Sequence, residues 1–160
     1  MFGIKLICVG KMREKHYIDA FREYEKRLTP LCRLEVEELA EVRLPDAPSP
    51  REIDAALEKE AEQILKRIPA GAWICALCVE GRQMSSERFA AQLRQLAVSG
   101  QSRAVFLIGS SFGLHARVKQ AAELRLSMSE MTFPHHLARV LLAEQLYRAC
   151  SINAGGKYHK

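Results

Sequence analysis

No run of apolar side chains in these 160 residues approaches the roughly 20 that a helix needs to cross a bilayer. The opening segment, Met1 to Gly10, is apolar but carries neither a basic leader nor a small-residue cleavage site. It reads as a first strand rather than a signal peptide, and the expectation is a cytoplasmic protein. Cysteine is present at five positions, an odd number that argues against a disulfide framework. Cys75-Ala76-Leu77-Cys78 has the spacing of a redox or zinc pair, but it falls inside an apolar run that reads as a strand. Residues three apart on a strand point to opposite faces. With no second cysteine pair to complete a zinc site, no metal is expected. Glycine is missing where common nucleotide sites need it. Only Gly10 follows the first strand, so the glycine-rich turn of a dinucleotide site or ordinary Rossmann-type site is absent. Lys11 lacks the lead of a P-loop, and no serine sits in a nucleophile elbow.

What is present suits one compact domain. Apolar residues make up 48% of the chain, enough for a real core, although Trp73 is the only tryptophan. The net charge of +5 permits a polyanionic partner and is equally compatible with ordinary solubility.

Apolar runs alternate with amphipathic stretches along the whole length. Strands are predicted over Gly3 to Val9, Leu31 to Leu39, Trp73 to Val79, Arg103 to Ile108 and Leu124 to Met128. Helices are predicted over Lys15 to Leu28, Arg51 to Ile68, Ser85 to about Val98, Ala116 to Ala122 and Pro134 to about Cys150. This alternation predicts a single α/β domain over residues 1–160, with a mostly parallel sheet covered by helices on both faces.

Candidate chemistry concentrates in the last third. Ile108-Gly109-Ser110-Ser111-Phe112-Gly113 follows a buried strand. Such a turn either presents backbone groups to a ligand or simply needs glycine dihedrals. The loop Met128-Ser129-Glu130-Met131-Thr132-Phe133 leads into a helix N-terminus, where backbone N–H groups are free for a ligand or for ordinary capping. The last helix is apolar on nearly every side, which predicts burial by its own sheet and by a partner subunit. Arg139, Glu144, Gln145 and Arg148 are nevertheless threaded through it. Glu144 and Arg148, four apart, can pair to fix the helix, or the arginines can line a site for a phosphate or base edge. The terminal Lys157-Tyr158-His159-Lys160 is either a frayed tail or a donor, a stacking ring and a proton acceptor suited to RNA.

Taken together, these residues resemble a known family. Phe133-Pro134-His135, the stretch Arg139 to Ala149 and Tyr158-His159 resemble the small methyltransferases that modify N3 of a pseudouridine in the RNA of the large ribosomal subunit. Val9-Gly10-Lys11, Tyr24 to Leu28 and Leu77 to Gly81 fit the same pattern, so the resemblance covers essentially the whole chain. It implies a SPOUT-type fold with a C-terminal trefoil knot at about residues 104–160, a homodimer, and S-adenosylmethionine as the cofactor, without a metal. By position it implies cofactor contacts from Leu77, Gly109, Met128, Ser129, Glu130, Met131, Thr132 and Phe133. The family usually has two adjacent glycines after the strand, whereas this chain has Gly109-Ser110. Binding then requires that Ser110 keep an ordinary dihedral.

The resemblance also implies roles for the charged residues. A uracil-type N3 carries a proton that must leave, so a base or an anion-stabilising group is required. His159 is the candidate base or orienter, and Tyr158 the stacking ring. Arg139 and Arg148 would stabilise charge or bind phosphate, and Glu144 would orient Arg148. The expected partner is ribosomal RNA within the ribosome, with no membrane. Methylation of another structured RNA such as transfer RNA, and a non-catalytic nucleotide-binding module, are the rival readings.

Overall fold

The computed structural model describes residues 1–160. Five strands and five helices alternate strictly: β1 (Gly3–Val9), α1 (Lys15–Leu28), β2 (Arg33–Leu39), α2 (Pro50–Arg67), β3 (Trp73–Arg82), α3 (Ser86–Val98), β4 (Arg103–Ile108), α4 (Ala116–Ala121), β5 (Leu124–Leu126) and α5 (His135–Asn153). All strand pairings are parallel, in the order β2-β1-β4-β3-β5. The expected α/β architecture is therefore present.

Period-2 patterning explains the layers. Ile4, Leu6 and Cys8 of β1 join Phe106 of β4 and Cys75 of β3 against α1, α3 and α5. Ile7 and Val9, with Val105, Leu107 and Ala76, face α2 and α4 on the other side. Every residue of β1 is buried, as a strand between two helical layers requires. The half-exposed β2 forms one edge, where Lys5 of β1 reaches Glu35 and Glu37 at 2.9 Å each.

Several boundaries differ from the sequence reading, and the larger shifts have local reasons. Strand β3 runs on to Arg82 because β5 returns to it there: Ser127 N donates to Arg82 O at 3.0 Å. Gly81 makes that return possible, since a Cβ there would lie 2.7 Å from the Arg125 carbonyl oxygen. Strand β5 stops at Leu126 rather than Met128, because the Ser127 hydroxyl donates to Ser129 O and turns the chain. Helix α5 continues past Cys150 to Asn153, and Gly155, at φ +72, allows the chain to turn back. Helix α2 begins at Pro50 in a complete capping box, with Ser49 accepting from Glu52 N and the Glu52 carboxylate accepting from Ser49 N.

Helix α5 packs on its own sheet, as expected, flanked by α1 and α3. Every residue from His135 to Ile152 is buried or half-buried within the single chain. Leu137, Leu141 and Tyr147 are among the half-buried ones. No helix is long and apolar enough to cross a membrane.

Glu60 of α2 is buried, 4% exposed, beneath the β4–α4 turn. Its Oε2 accepts from Val42 N at 2.9 Å, while Oε1 has no hydrogen-bond partner. Burial raises this carboxyl above its usual range, opposed by the Val42 N–H and the nearby Ser110 hydroxyl. A carboxyl raised on folding contributes stability at low pH that is lost as pH rises through the folded-state value. Glu60→Gln is therefore expected to raise the melting temperature at pH 8 and to have little effect at pH 4. Thermal unfolding at the two pH values checks this; an equal effect at both would exclude the titration as its cause.

Candidate active site

A cavity of about 670 Å³ opens at the carboxyl ends of β3, β4 and β5. In open parallel sheets that edge is where ligands bind. Three segments wall it: Leu77 to Glu80 at the end of β3, Ile108 to Leu114 after β4, and the Met128–Pro134 loop with the first turn of α5. Seven of the eight expected cofactor contacts line it: Leu77, Gly109, Met128, Ser129, Met131, Thr132 and Phe133. Glu130 does not; it is exposed beside the cavity. Cys78, Ser110, Phe112, Lys119, His135 and Ala138 also line the cavity, although the sequence pattern did not single them out for it. Ser110, Phe112 and His135 belong to motifs already quoted, Cys78 and Ala138 adjoin Leu77 and Arg139, and Lys119 carried no sequence signal.

The turn after β4 shows what each glycine does. Gly113 has φ +84, a region that favours glycine. Gly109 is required for space: a Cβ there would stand 2.2 Å from the Gly113 carbonyl oxygen. Gly113 N donates to Ser110 O at 2.9 Å and closes the turn. No non-glycine residue of the chain has a positive φ, so Ser110 keeps an ordinary dihedral. The departure from two adjacent glycines therefore leaves the turn unstrained. On the opposite wall, the Ser129 hydroxyl accepts from Met131 N at 3.0 Å and shapes the loop.

The cavity is of a size to take a small organic molecule. Its volume is in the range of small-molecule sites, and Leu77, Ile108, Leu114, Leu126 and Met128 give it an apolar lining.

Four of the five expected catalytic residues form a separate cluster. The Glu144 carboxylate accepts from the Arg148 guanidinium, four residues along α5, as anticipated. It also accepts from the Tyr158 hydroxyl at 3.0 Å. Arg148 Nη1 lies 3.1 Å from His159 Nδ1, and His159 Nε2 lies 2.8 Å from Glu87 Oε1 on α3. The Tyr158 ring lies 4.7 Å from Tyr147 and is covered by Arg148 at 4.7 Å. Burial, the Glu144 carboxylate and nearby Tyr24 push the Tyr158 hydroxyl up to about 12. Arginine can only donate, so His159 Nδ1 accepts and its proton resides on Nε2, facing Glu87. The tail is thus docked rather than frayed. None of its residues lines the cavity.

Arg139 stands apart from that cluster. It is 2% exposed and holds the ends of β1 and β2 to α5. Its Nη1 donates to Glu38 Oε2 at 2.5 Å and its Nη2 to Gly10 O at 2.9 Å. Met12 N donates to the same Glu38 oxygen at 2.8 Å. Burial would raise the Glu38 carboxyl, but the Met12 N–H and Arg139 outweigh it and hold the group below its usual value. Cys8, buried next to this pair, has its thiol pushed up to about 12 by burial and is inert. His135, at the cavity wall, is held below the usual imidazole range by burial and by neighbouring His136. Cys75 and Cys78 are free thiols, the first buried in the core and the second beside the cavity.

Comparison with known proteins agrees with this geometry. Residues 2–159 match the family model described as "Predicted SPOUT methyltransferase". A ribosomal RNA large subunit methyltransferase H of Streptococcus uberis is 42% identical over 157 residues, 98% of this chain and 99% of its own. The protein of that name from Bifidobacterium animalis subsp. lactis is 45% identical over 158 residues, 99% of each chain. Among solved structures, a methyltransferase from Bordetella pertussis Tohama I superposes with a TM-score of 0.55 at 16% identity, over 93% of this chain and 96% of its own. At that identity the likeness speaks to the fold alone. The full-length match to the family model and the two relatives together establish that this chain belongs to the SPOUT methyltransferases, in the family of the ribosomal RNA large subunit methyltransferases H.

Proposed function

We propose that this protein uses S-adenosylmethionine to methylate N3 of a pseudouridine in the RNA of the large ribosomal subunit, acting as a homodimer. The observation that carries the reading is the cavity at the carboxyl ends of β3, β4 and β5, lined by seven of the eight residues implied for the cofactor. The names of the full-length relatives support the RNA of the large subunit as the target. A trefoil knot belongs to the same reading.

When bound, the cofactor supplies an electrophilic methyl group on a sulfonium sulfur. The chain's own task is to hold it in line with the acceptor nitrogen and to exclude water. The apolar lining of the cavity serves exclusion. His159 and Tyr158 handle the base edge, and Arg148, oriented by Glu144, stabilises the charge left when the N3 proton departs. The tail lies outside its own cavity, which supports a dimer in which one protomer's tail serves the other's site. Because Arg148 occupies the Nδ1 lone pair in the docked arrangement, His159 takes a proton only after that contact opens.

The test offers methyl-labelled S-adenosylmethionine with ribosomes, free ribosomal RNA and transfer RNA. Label in the large-subunit RNA, at a pseudouridine N3, is expected. Label in transfer RNA alone would overturn the target, and label in none would favour a nucleotide-binding module. In the same assay His159→Ala is expected to lower turnover at saturating cofactor by roughly 10²-fold or more, the scale of a lost general base, while leaving cofactor binding in place. Unchanged turnover would remove His159 from the mechanism.

A further inference from the structure

Among the residues that line the cavity, only Glu80 and Lys119 carry a fixed opposite pair of charges. Glu80 lies on β3 past Leu77, Lys119 lies on α4, and both line the cavity. Their side chains form an ion pair that joins β3 to α4. The Lys119 ammonium holds the Glu80 carboxyl below its usual range, and Arg125 acts in the same direction from β5. The remaining lining is apolar, small or hydroxylated, apart from His135 on the α5 side. Both partners are accessible from the cavity, Glu80 the more so.

An exposed ion pair adds little to folding stability. Its placement in the lining of a cavity that has no other fixed charge points to a use in binding. A carboxylate beside an ammonium is complementary to one ligand group above others, an amino-acid zwitterion. Lys119 would take the α-carboxylate and Glu80 the α-ammonium, so each charge exchanges one partner for another and none is stranded. A sugar diol would accept only half of this arrangement: binding Glu80 through its hydroxyls would leave Lys119 unpaired. As the ligand displaces water, both contacts strengthen in the lower dielectric.

We propose that the Glu80–Lys119 pair is the subsite for the amino-acid end of the cofactor, while the apolar lining near Leu77 and Met128 takes its nucleoside. This rests on the cofactor reading above and names the residues that discriminate the intact cofactor from its nucleoside fragment.

Calorimetric titration of the full chain with S-adenosylhomocysteine and with 5′-methylthioadenosine tests it. The second compound keeps the adenosine and a thioether but lacks the amino-acid end. Lys119→Met and Glu80→Gln are each expected to weaken S-adenosylhomocysteine about tenfold or more, the scale of a charge-assisted hydrogen bond. Both variants should bind 5′-methylthioadenosine as the parent does, which also reports an intact cavity. Lys119→Arg should recover most of the lost affinity. An unchanged ratio of the two affinities in both variants would make the pair merely structural and overturn the proposal. Equal weakening of both compounds by Glu80→Gln would assign the carboxylate to the sugar instead, and also overturn it. If the parent chain binds neither compound, the cofactor reading itself fails, an outcome distinct from the other two.

Discussion

Gly109→Ala is expected to abolish measurable cofactor binding while leaving the chain folded. The added methyl would sit 2.2 Å from the Gly113 carbonyl oxygen and 2.4 Å from its carbon. Backbone on both sides has nowhere to yield without opening the turn, because Gly113 N is bonded to Ser110 O within it. Overpacking of this kind costs about 1–3 kcal/mol, a drop of roughly 2–12 °C in melting temperature for a domain of this size. The larger effect falls on the cavity, since residues 108–114 form one whole wall. Ser110→Gly provides the contrast. Ser110 already has an ordinary φ, so restoring a second glycine releases no strain and should shift affinity by no more than about twofold. Titration with S-adenosylhomocysteine, with melting curves in parallel, separates the two variants. Normal binding by Gly109→Ala would mean that this turn is not a wall of the cofactor site.

Arg139→Met should destabilise the fold more than any substitution of the tail. Arg139 ties Glu38 of β2 and Gly10 after β1 to α5, across more than a hundred residues of sequence. Removing one partner of a buried pair leaves the other charge without compensation and typically costs about 3–5 kcal/mol. Glu38 is partly solvated and keeps the Met12 N–H, so a smaller cost, about 2–3 kcal/mol, is expected. The pH dependence follows from the sign of the Glu38 shift. A carboxyl depressed on folding contributes stability above its unfolded-state value, near 4.3 for Glu, and loses it as pH falls through the folded-state value. The deficit of Arg139→Met should therefore shrink in acid. Denaturant unfolding at pH 7 and pH 3 checks it, and adding Glu38→Gln to Arg139→Met should recover part of the loss. A variant with unaltered stability would free Arg139 for the role in RNA binding expected from its position in the chain.

The reading of Arg139 shows where a sequence pattern stops. Arg139 and Arg148 lie on the same helix, and both were candidates for one anionic ligand. Helical spacing places residues on a face but does not say which distant strand approaches that face. Glu38 and Gly10 take Arg139 at one end of α5, while Glu144, Tyr158 and His159 take Arg148 at the other. Glu87 is a similar case. It sits in the first turn of α3, where it reads as ordinary helix polarity, yet it is the partner of His159 Nε2 from 72 positions away. The Glu80–Lys119 pair, 39 positions apart, carried no sequence signal at all. Other features were readable and were passed over. Ser49-Pro50-Arg51-Glu52 spells out a capping box, and it starts α2 one residue earlier than periodicity alone suggested.

Determined by the sequence alone were the strict alternation of strands and helices, the buried β1, β3 and β4, the family resemblance, and seven of the residues that line the cavity. These follow from local periodicity and from short ordered motifs, and neither depends on how distant segments meet. Only the tertiary structure decided that the tail docks on α3 and α5 outside its own cavity, that Glu130 lies outside the cavity lining, and that α5 packs between α1 and α3 on the sheet. It also decided that an ion pair joins β3 to α4 in the cavity lining. Each of these is a contact between segments far apart in the chain, set by the strand order β2-β1-β4-β3-β5 and by close approaches such as Gly81 against Arg125. No residue's own neighbours in the sequence encode them.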